Sequence, residues 1–404
     1  MVQTPTGNAN LTLITEGLAD APLAERHWAA LLAARAAKRP GATLVFLQSA
    51  RSASGLEGLA RTLRIEWPDV RSVCFTLPSD DPASAAHLLP WLKSAQTDLW
   101  FDASYSASRP LLRTSPPAQN MPPADPGAVW LVTGGARGVT AACAIELARL
   151  AGGTFLLAGR SSLAPWPEGI AETADLKSLR GALALAARAR GEKPAPAAID
   201  KAARATLAGL EIRTTLAGIH ETGAAAHYIP MDTADAGSVV AAINQIGSTF
   251  GAITGLIHGA GIIADRLADE KTEDELKRVF APKADGLFNL LHALNGRPLK
   301  HLALFSSASA FFGNRGQADY AMANAILANT GRDIAASQPG VRVKVFDWGP
   351  WEGGMVDATL AEHFRAQGVP LIPLEDGARI FARELLGGAF EDIELVVGTM
   401  EGEA

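Results

Sequence analysis

The chain is poor in cysteine, in net positive charge and in long apolar runs. Only Cys74 and Cys143 occur among 404 residues. Both lie in apolar stretches, so buried thiols are expected rather than a disulfide framework or a thiolate metal site. Acidic residues outnumber basic ones, with a formal net charge of −6, which argues against a nucleic-acid footprint. No apolar run reaches the length of a membrane span. The first residues, MVQTPTGNAN, have neither the basic start nor the apolar core of a secretory signal. Together these absences lead us to expect a cytoplasmic protein that uses no metal, membrane or nucleic acid.

What is present is a rhythm of short apolar runs alternating with helical patterns. In the first half, Leu11–Thr15, Thr43–Gln48, Ser72–Leu77 and Asp98–Ala103 read as strands. Pro22–Lys38, Gly55–Trp67 and Ala83–Gln96 read as helices. A breaker-rich segment, Thr114–Gly127, then carries five prolines and reads as a linker. Beyond it, strands are expected at Ala128–Thr133, Thr154–Gly159, Ala226–Met231, Ile253–His258, Leu302–Ser306, Arg342–Asp347 and Ile393–Val397. This alternation predicts an α/β protein made of two Rossmann-like doubly wound halves. The first (1–118) is truncated and has no glycine-rich turn after any strand, so it is read as scaffold. The second (119–404) carries the chemistry. The connection from Arg160 to Ala226 is far longer than a crossover needs, which predicts a helical hairpin inserted near 163–222, either a docking surface or a decoration. A segment near 350–373, with glycines on its approach, reads as a lid.

The turn after the second half's first strand reads Thr133-Gly134-Gly135-Ala136-Arg137-Gly138-Val139-Thr140. Glycine there allows a tight turn and close approach of backbone to a pyrophosphate at a helix N-terminus. The next strand ends in Arg160 and Ser161, where an acidic residue would select NAD. A guanidinium suits a 2′-phosphate instead, so NADPH is the expected cofactor. Met231-Asp232 and His258-Gly259-Ala260-Gly261 close the following two strands and complete the candidate cofactor set. His258 itself reads as a packed residue.

The segment Phe305–Asn324 (FSSASAFFGNRGQADYAMAN) places Ser307, Tyr320 and Asn324 at spacings of thirteen and four residues, with Lys283 upstream. A phenol beside a serine hydroxyl, supported by a lysine and an amide, can protonate a carbonyl oxygen as hydride reaches its carbon. Each residue alone has a structural reading: Ser307 as a helix cap, Tyr320 as core, Lys283 as solvated, Asn324 as a polar helix residue. Trp348, Trp351, Met355 and Phe364 could line an acyl channel or pack a lid.

These motifs resemble the short-chain dehydrogenase/reductase superfamily, and within it the ketoreductase domains of polyketide and fatty-acid synthases. Most members carry Y-x-x-x-K, whereas this chain has Tyr320-Ala-Met-Ala-Asn324 with the lysine at 283, which is the ketoreductase arrangement. GGARGVT, EIRTTLAGI and HGAGIIADR look most like polyunsaturated-fatty-acid synthases. Thr140 departs from the superfamily's last glycine. The resemblance implies reduction of a 3-oxoacyl thioester held on an acyl carrier protein, with other synthase domains as partners, and a lysine that together with the nicotinamide ribose lowers the phenol's pKa. It also implies that Asp265 and Phe312 bear on stereochemistry. Phe312 stands where a tryptophan marks the opposite class, and the expected product is (3R). Two other readings are a free-standing reductase of small ketones or quinones and a catalytically silent structural domain.

Overall fold

In the computed structural model the described residues run from 11 to 398, apart from 16–20, 50–52, 79–86, 89, 93, 111, 115–117, 162, 164, 295–296, 298, 354–357 and 367. The first half contains β1 (Leu11–Ile14), α1 (Leu23–Ala37), β2 (Thr43–Ser49), α2 (Leu56–Glu66), β3 (Arg71–Leu77), β4 (Asp98–Phe101) and β5 (Ala107–Ser108). The second contains β6 (Val129–Thr133), α3 (Gly138–Ala151), β7 (Thr154–Gly159), α4 (Leu176–Ala189), α5 (Pro196–Glu221), β8 (Ala225–Pro230), α6 (Ala236–Thr249) and β9 (Gly255–His258). It continues with α7 (Glu273–Phe280), α8 (Gly286–Ala293), β10 (His301–Ser307), α9 (Ala308–Phe312), α10 (Ala318–Ser337), β11 (Arg342–Trp348), α11 (Ala358–Ala366), α12 (Leu374–Gly387) and β12 (Glu394–Val397).

The second sheet has the order β12-β11-β10-β9-β6-β7-β8, and all its pairings are parallel. Central strands here are buried on both faces, which is why β6 reads VWLVT with no polar alternation. The chain winds one way through β6, β7 and β8 and the other way from β9 to β12. The reversal between β6 and β9 opens a crevice at their C-terminal ends.

The first sheet is also parallel, apart from the short antiparallel β5, but its strands follow chain order. It therefore winds in one direction only. Right-handed crossovers then put α1 and α2 on the same face. That face packs into the second half: Leu31, Leu59 and Leu63 share a core with Phe280, Met322 and Ile326. The opposite face is covered from within the first half, where Leu88, Trp91 and Leu92 lie over Val73, Phe75 and Leu99. The helix expected over 83–96 is reduced, among described residues, to short turns around 87–92.

The hairpin expected near 163–222 is present as α4 and α5, but the end of α5 belongs to the ordinary crossover. Ile219 packs with Leu147 and Ala148 of α3 beneath the sheet, so only the earlier part of the hairpin is extra. A cavity of about 730 Å³ between its arms is lined by Arg180, Arg188, Lys193 and Ile199, and holds none of the expected site residues. Cys74 and Cys143 are buried free thiols in different halves. Among the described residues no helix is long and apolar enough to cross a membrane, and no cluster of His, Cys, Asp or Glu suits a metal ion.

Candidate active site

The floor of the crevice is the turn after β6. Gly134 has φ +70°, and a Cβ there would sit 2.8 Å from the backbone of Gly259. Only glycine fits where these two strand ends meet. Gly134 N–H donates to the Ala158 carbonyl at 3.0 Å, and Gly259 N–H donates to Thr133 at 3.0 Å, tying β6 to both neighbours. Arg137, in extended conformation, leads into α3, whose first turn contains Gly138 and Val139 and faces its free amides toward the crevice. Thr140, the departure from the superfamily pattern, packs its side chain against Gly259. Sequence reasoning missed one brace: the Thr215 hydroxyl of α5 shares its proton between the Ala136 carbonyl at 2.9 Å and the Glu211 carbonyl of its own helix at 3.0 Å, so the hairpin's second helix touches the turn from outside.

Arg160 and Ser161 lie exposed at the end of β7. The Ser161 carbonyl accepts the Tyr228 hydroxyl at 2.7 Å, which pins this strand end. Met231 is buried at the next strand end, and half-buried Asp232 accepts the Ala234 amide at 3.1 Å. His258 is fully buried, with Nδ1 2.8 Å from the Thr133 hydroxyl and Nε2 2.8 Å from the Lys283 carbonyl. Burial pushes its pKa down to about 4, so the ring is neutral near pH 7. With both nitrogens engaged inside the protein, its side chain offers a cofactor nothing. It joins the glycine turn to the lysine segment, and only its backbone and those of Gly259, Ala260 and Gly261 face the crevice.

Lys283 sits in a single π-helical turn, Ala281–Asp285, between α7 and α8. Pro282 has no N–H for the regular ladder, which accounts for the widened turn. The side chain slides over Gly261, where a Cβ would come within 2.9 Å of Lys283 Cε. Its ammonium donates to the Phe305 carbonyl at 2.8 Å and lies 5.3 Å from the centre of the Tyr320 ring. Ser307 ends β10 and caps α9: its hydroxyl accepts the Ser309 amide at 3.2 Å and the Ser309 hydroxyl at 3.0 Å. Both bonds use Ser307 as acceptor, leaving its own proton for a substrate oxygen. The capping role and the catalytic role are therefore compatible. Tyr320 and Asn324 lie one turn apart on α10, and Asn324 Nδ2 donates to the Tyr320 carbonyl at 2.8 Å. Asn324 Oδ1 is buried without a partner, an acceptor waiting for a water or the lysine.

The protein without cofactor sets the starting protonation of the site. Burial pushes the Tyr320 phenol up to about 12, with the Asn324 side chain working the other way and the Asp265 carboxylate adding to the rise. Burial likewise brings Lys283 down to about 7, against the upward pull of Asp347. In the protein alone, desolvation outweighs any lowering of the phenol by the lysine. Tyr320 is thus held protonated, as a proton donor must be. Asp347, buried in β11 and raised well above the usual carboxylate range by burial, was missed in the sequence. Its only signal there is one acid in the apolar run VKVFDW.

On the substrate side, Asp265 is held by Gln317 Nε2 at 3.2 Å, three residues before Tyr320. Phe312 ends α9, edge-on to Phe311. Trp348 does not line a channel. It is 6% exposed, stacked on Phe346 at 5.1 Å and packed against Phe305 and Trp351 in the core behind the sheet. Strand alternation, invisible without the register, turned its ring away from the crevice. Met355 lies outside the described residues. The candidate lid leaves the body at a closed stem, where Glu352 N–H donates to Ile372 at 2.9 Å and Ile372 N–H to Pro350 at 2.8 Å.

The KR domain family matches residues 128–353, more than half of the chain. A polyunsaturated fatty acid synthase polypeptide of Thraustochytrium sp. is 38% identical over 281 residues, 67% of this chain but 10% of the relative. Polyketide synthase PksL of Bacillus subtilis is 39% identical over 112 residues, 28% of this chain and 2% of the relative. The chain thus spans about a tenth or less of these curated relatives. Among solved structures, the ketoreductase from the first module of phoslactomycin biosynthesis in Streptomyces sp. HK803 superposes with a TM-score of 0.72 at 22% identity, covering 96% of this chain and 81% of that one. A ketoreductase domain from the bacillaene assembly line gives 0.70 at 21% identity, covering 98% and 95%. Taken with a site that gathers lysine, serine, tyrosine and asparagine at one crevice, these matches show that the chain belongs to the KR domain family, the ketoreductases of polyketide and polyunsaturated-fatty-acid synthases.

Proposed function

We propose that the protein reduces a 3-oxoacyl thioester, tethered to an acyl carrier protein, to the 3-hydroxyacyl thioester with NADPH, giving mainly the (3R) product. The observation that carries this reading is the convergence of Lys283, Ser307, Tyr320 and Asn324 beside a tight glycine turn that opens α3. The residues fit a phosphorylated dinucleotide. The glycine turn leads into the α3 N-terminus, whose free amides suit a pyrophosphate, and exposed Arg160 has no hydrogen bond or ion pair to another described residue. Arg160 and Ser161 would hold the 2′-phosphate, Met231 and Asp232 the adenine side, and Lys283 the nicotinamide ribose. When bound, NADPH supplies the hydride.

The protein's own part is the proton. The Ser307 hydroxyl orients the ketone oxygen. The phenol, protonated at neutral pH, releases its proton to the oxygen as negative charge develops there. Asn324 Oδ1 then accepts from a water or from Lys283, the first link in returning a proton to Tyr320. Asp265 and Phe312 border the entry and bear on which face of the ketone is presented.

NADPH oxidation with trans-1-decalone or an acetoacetyl thioester tests the activity, and no turnover with either would sink it. Faster turnover of a carrier-bound than of a free thioester supports the tethered substrate, and chiral analysis showing mainly (3S) would overturn the stereochemistry. Arg160→Ala is expected to weaken NADPH relative to NADH by about 10- to 100-fold in kcat/KM, the worth of a charge-assisted bond. An unchanged ratio would exclude its role.

A further inference from the structure

A second buried charge lies one residue from the catalytic phenol. Lys271 and Asp319 are both buried, with Nζ and Oδ1 3.0 Å apart. Lys271 closes the loop that follows β9, the loop carrying Asp265. Its ammonium also donates to the Ala264 carbonyl and reaches the Gly316 carbonyl at 3.4 Å. All three of its donors thus point at two pieces of backbone and one carboxylate. Asp319 Oδ1 faces the Tyr320 amide at 2.9 Å, while Oδ2 has no partner. Around this pair the same two segments meet again: Arg266 N–H donates to Gly316 at 2.9 Å, and Gln317 bonds the Asp265 carboxylate at 3.2 Å.

A buried ion pair adds little net stability over a well-packed apolar pair, because desolvation cancels most of the attraction. What it does impose is one geometry, since three donors and a carboxylate cannot be satisfied in a shifted register. Here the two pieces joined are the loop bearing Asp265 and the first turn of the helix bearing Tyr320. We propose that Lys271 and Asp319 are positioning residues that lock the Asp265 loop onto the start of α10, setting the distance and angle between the Tyr320 phenol and the face of the bound ketone. This rests on the ketoreductase reading of the site. Neither residue touches the glycine turn, so the pair acts on the transfer geometry and on stereochemical fidelity rather than on cofactor binding.

The test compares native protein with Lys271→Met, Asp319→Asn and the double variant, using NADPH and trans-1-decalone, and reads kcat, NADPH KM, product enantiomer ratio and Tm. Each single variant is expected to lose about 10- to 100-fold in kcat, the range for a small misplacement of reacting groups, with the enantiomer ratio moving toward parity and NADPH KM unchanged. The double variant leaves no lone buried charge, so it should regain Tm while kcat and the enantiomer ratio stay impaired. Recovery of kcat and ratio along with Tm would show a merely structural pair and overturn the proposal, as would single variants with native kcat and ratio. If Lys271→Met folds poorly, Asp319→Asn supplies the same comparison, because it retains the side-chain oxygen that faces the Tyr320 amide. A native protein inactive toward the ketone would instead remove the ketoreductase reading itself.

Discussion

The two halves are built from the same parts, parallel strands joined by helices, yet only the second holds the candidate site. The second sheet reverses direction between β6 and β9, so two strand ends part there and leave a crevice floored by Gly134 and Gly259. The first sheet runs in chain order and never reverses. Among the described residues it has no such parting, and in the sequence none of its strands is followed by a glycine-rich turn. The lesson is that a parallel α/β sheet acquires a binding site from its winding, not from its composition. What the first half contributes is a surface. Its α2 lies along α10 so closely that a Cβ on Gly58 would stand 2.5 Å from the Ala321 carbonyl, one residue from Tyr320. Arg61 adds a bond to Ala310 at 2.6 Å, and Glu66 accepts the Gly316 amide at 2.8 Å. The first half is thus a mould for the helix that bears Tyr320 and for the turn that leads into it.

Four variants can break or sharpen this contrast. The largest effect is expected in the second half itself. Tyr320→Phe removes the proton donor and should lower kcat by roughly 10²- to 10⁴-fold with little change in KM; near-full turnover in a steady-state NADPH assay would refute the assignment.

Next comes the mould. Gly58→Ala pushes a methyl group into the α10 backbone and should cost about 1–3 kcal/mol by thermal or urea unfolding, with a fall in kcat although residue 58 lies outside the catalytic half. Unchanged kcat would mean that the first half supports only stability.

A pH-dependent contrast follows. Lys283 loses its proton near pH 7 in the folded protein, against 10.5 for a free lysine. Between these values the unfolded chain binds more protons, so stability rises with pH across this window. In the cofactor-free protein, Lys283→Met should flatten that rise, and parallel Tm–pH curves for the two proteins would contradict the burial of the charge.

The smallest effect is expected far from the mould. Gly181, within α4 of the hairpin, has nothing within 4 Å of its would-be Cβ. The same Gly→Ala change there should stabilise the protein by about 0.5–1 kcal/mol and leave kcat unchanged.

Much of the second half was legible in the chain because its signals are local. A buried parallel strand needs a continuous apolar run, a phosphate-binding turn needs glycine at positive φ, and Ser307, Tyr320 and Asn324 lie on neighbouring elements. The strand at Thr154–Gly159 has the same bounds in sequence and structure for this reason. Signals that depend on register were not legible. Trp348 alternates to the core face, and the end of α5 serves as a crossover helix rather than as part of an insertion.

The sequence alone determined the class of fold, the place of the glycine turn and the four residues suited to proton delivery, because each follows from periodicity, backbone freedom or side-chain chemistry over short spans. The tertiary structure alone decided how the first half winds, which of its helices presses on α10, and the protonation of the site. Burial held the phenol near 12 and the lysine near 7. It also made the Lys271–Asp319 pair a neighbour of Tyr320. Desolvation and close approach depend on what packs around a group, and residues as far apart in the chain as Lys271 and Asp319 come into contact only after folding.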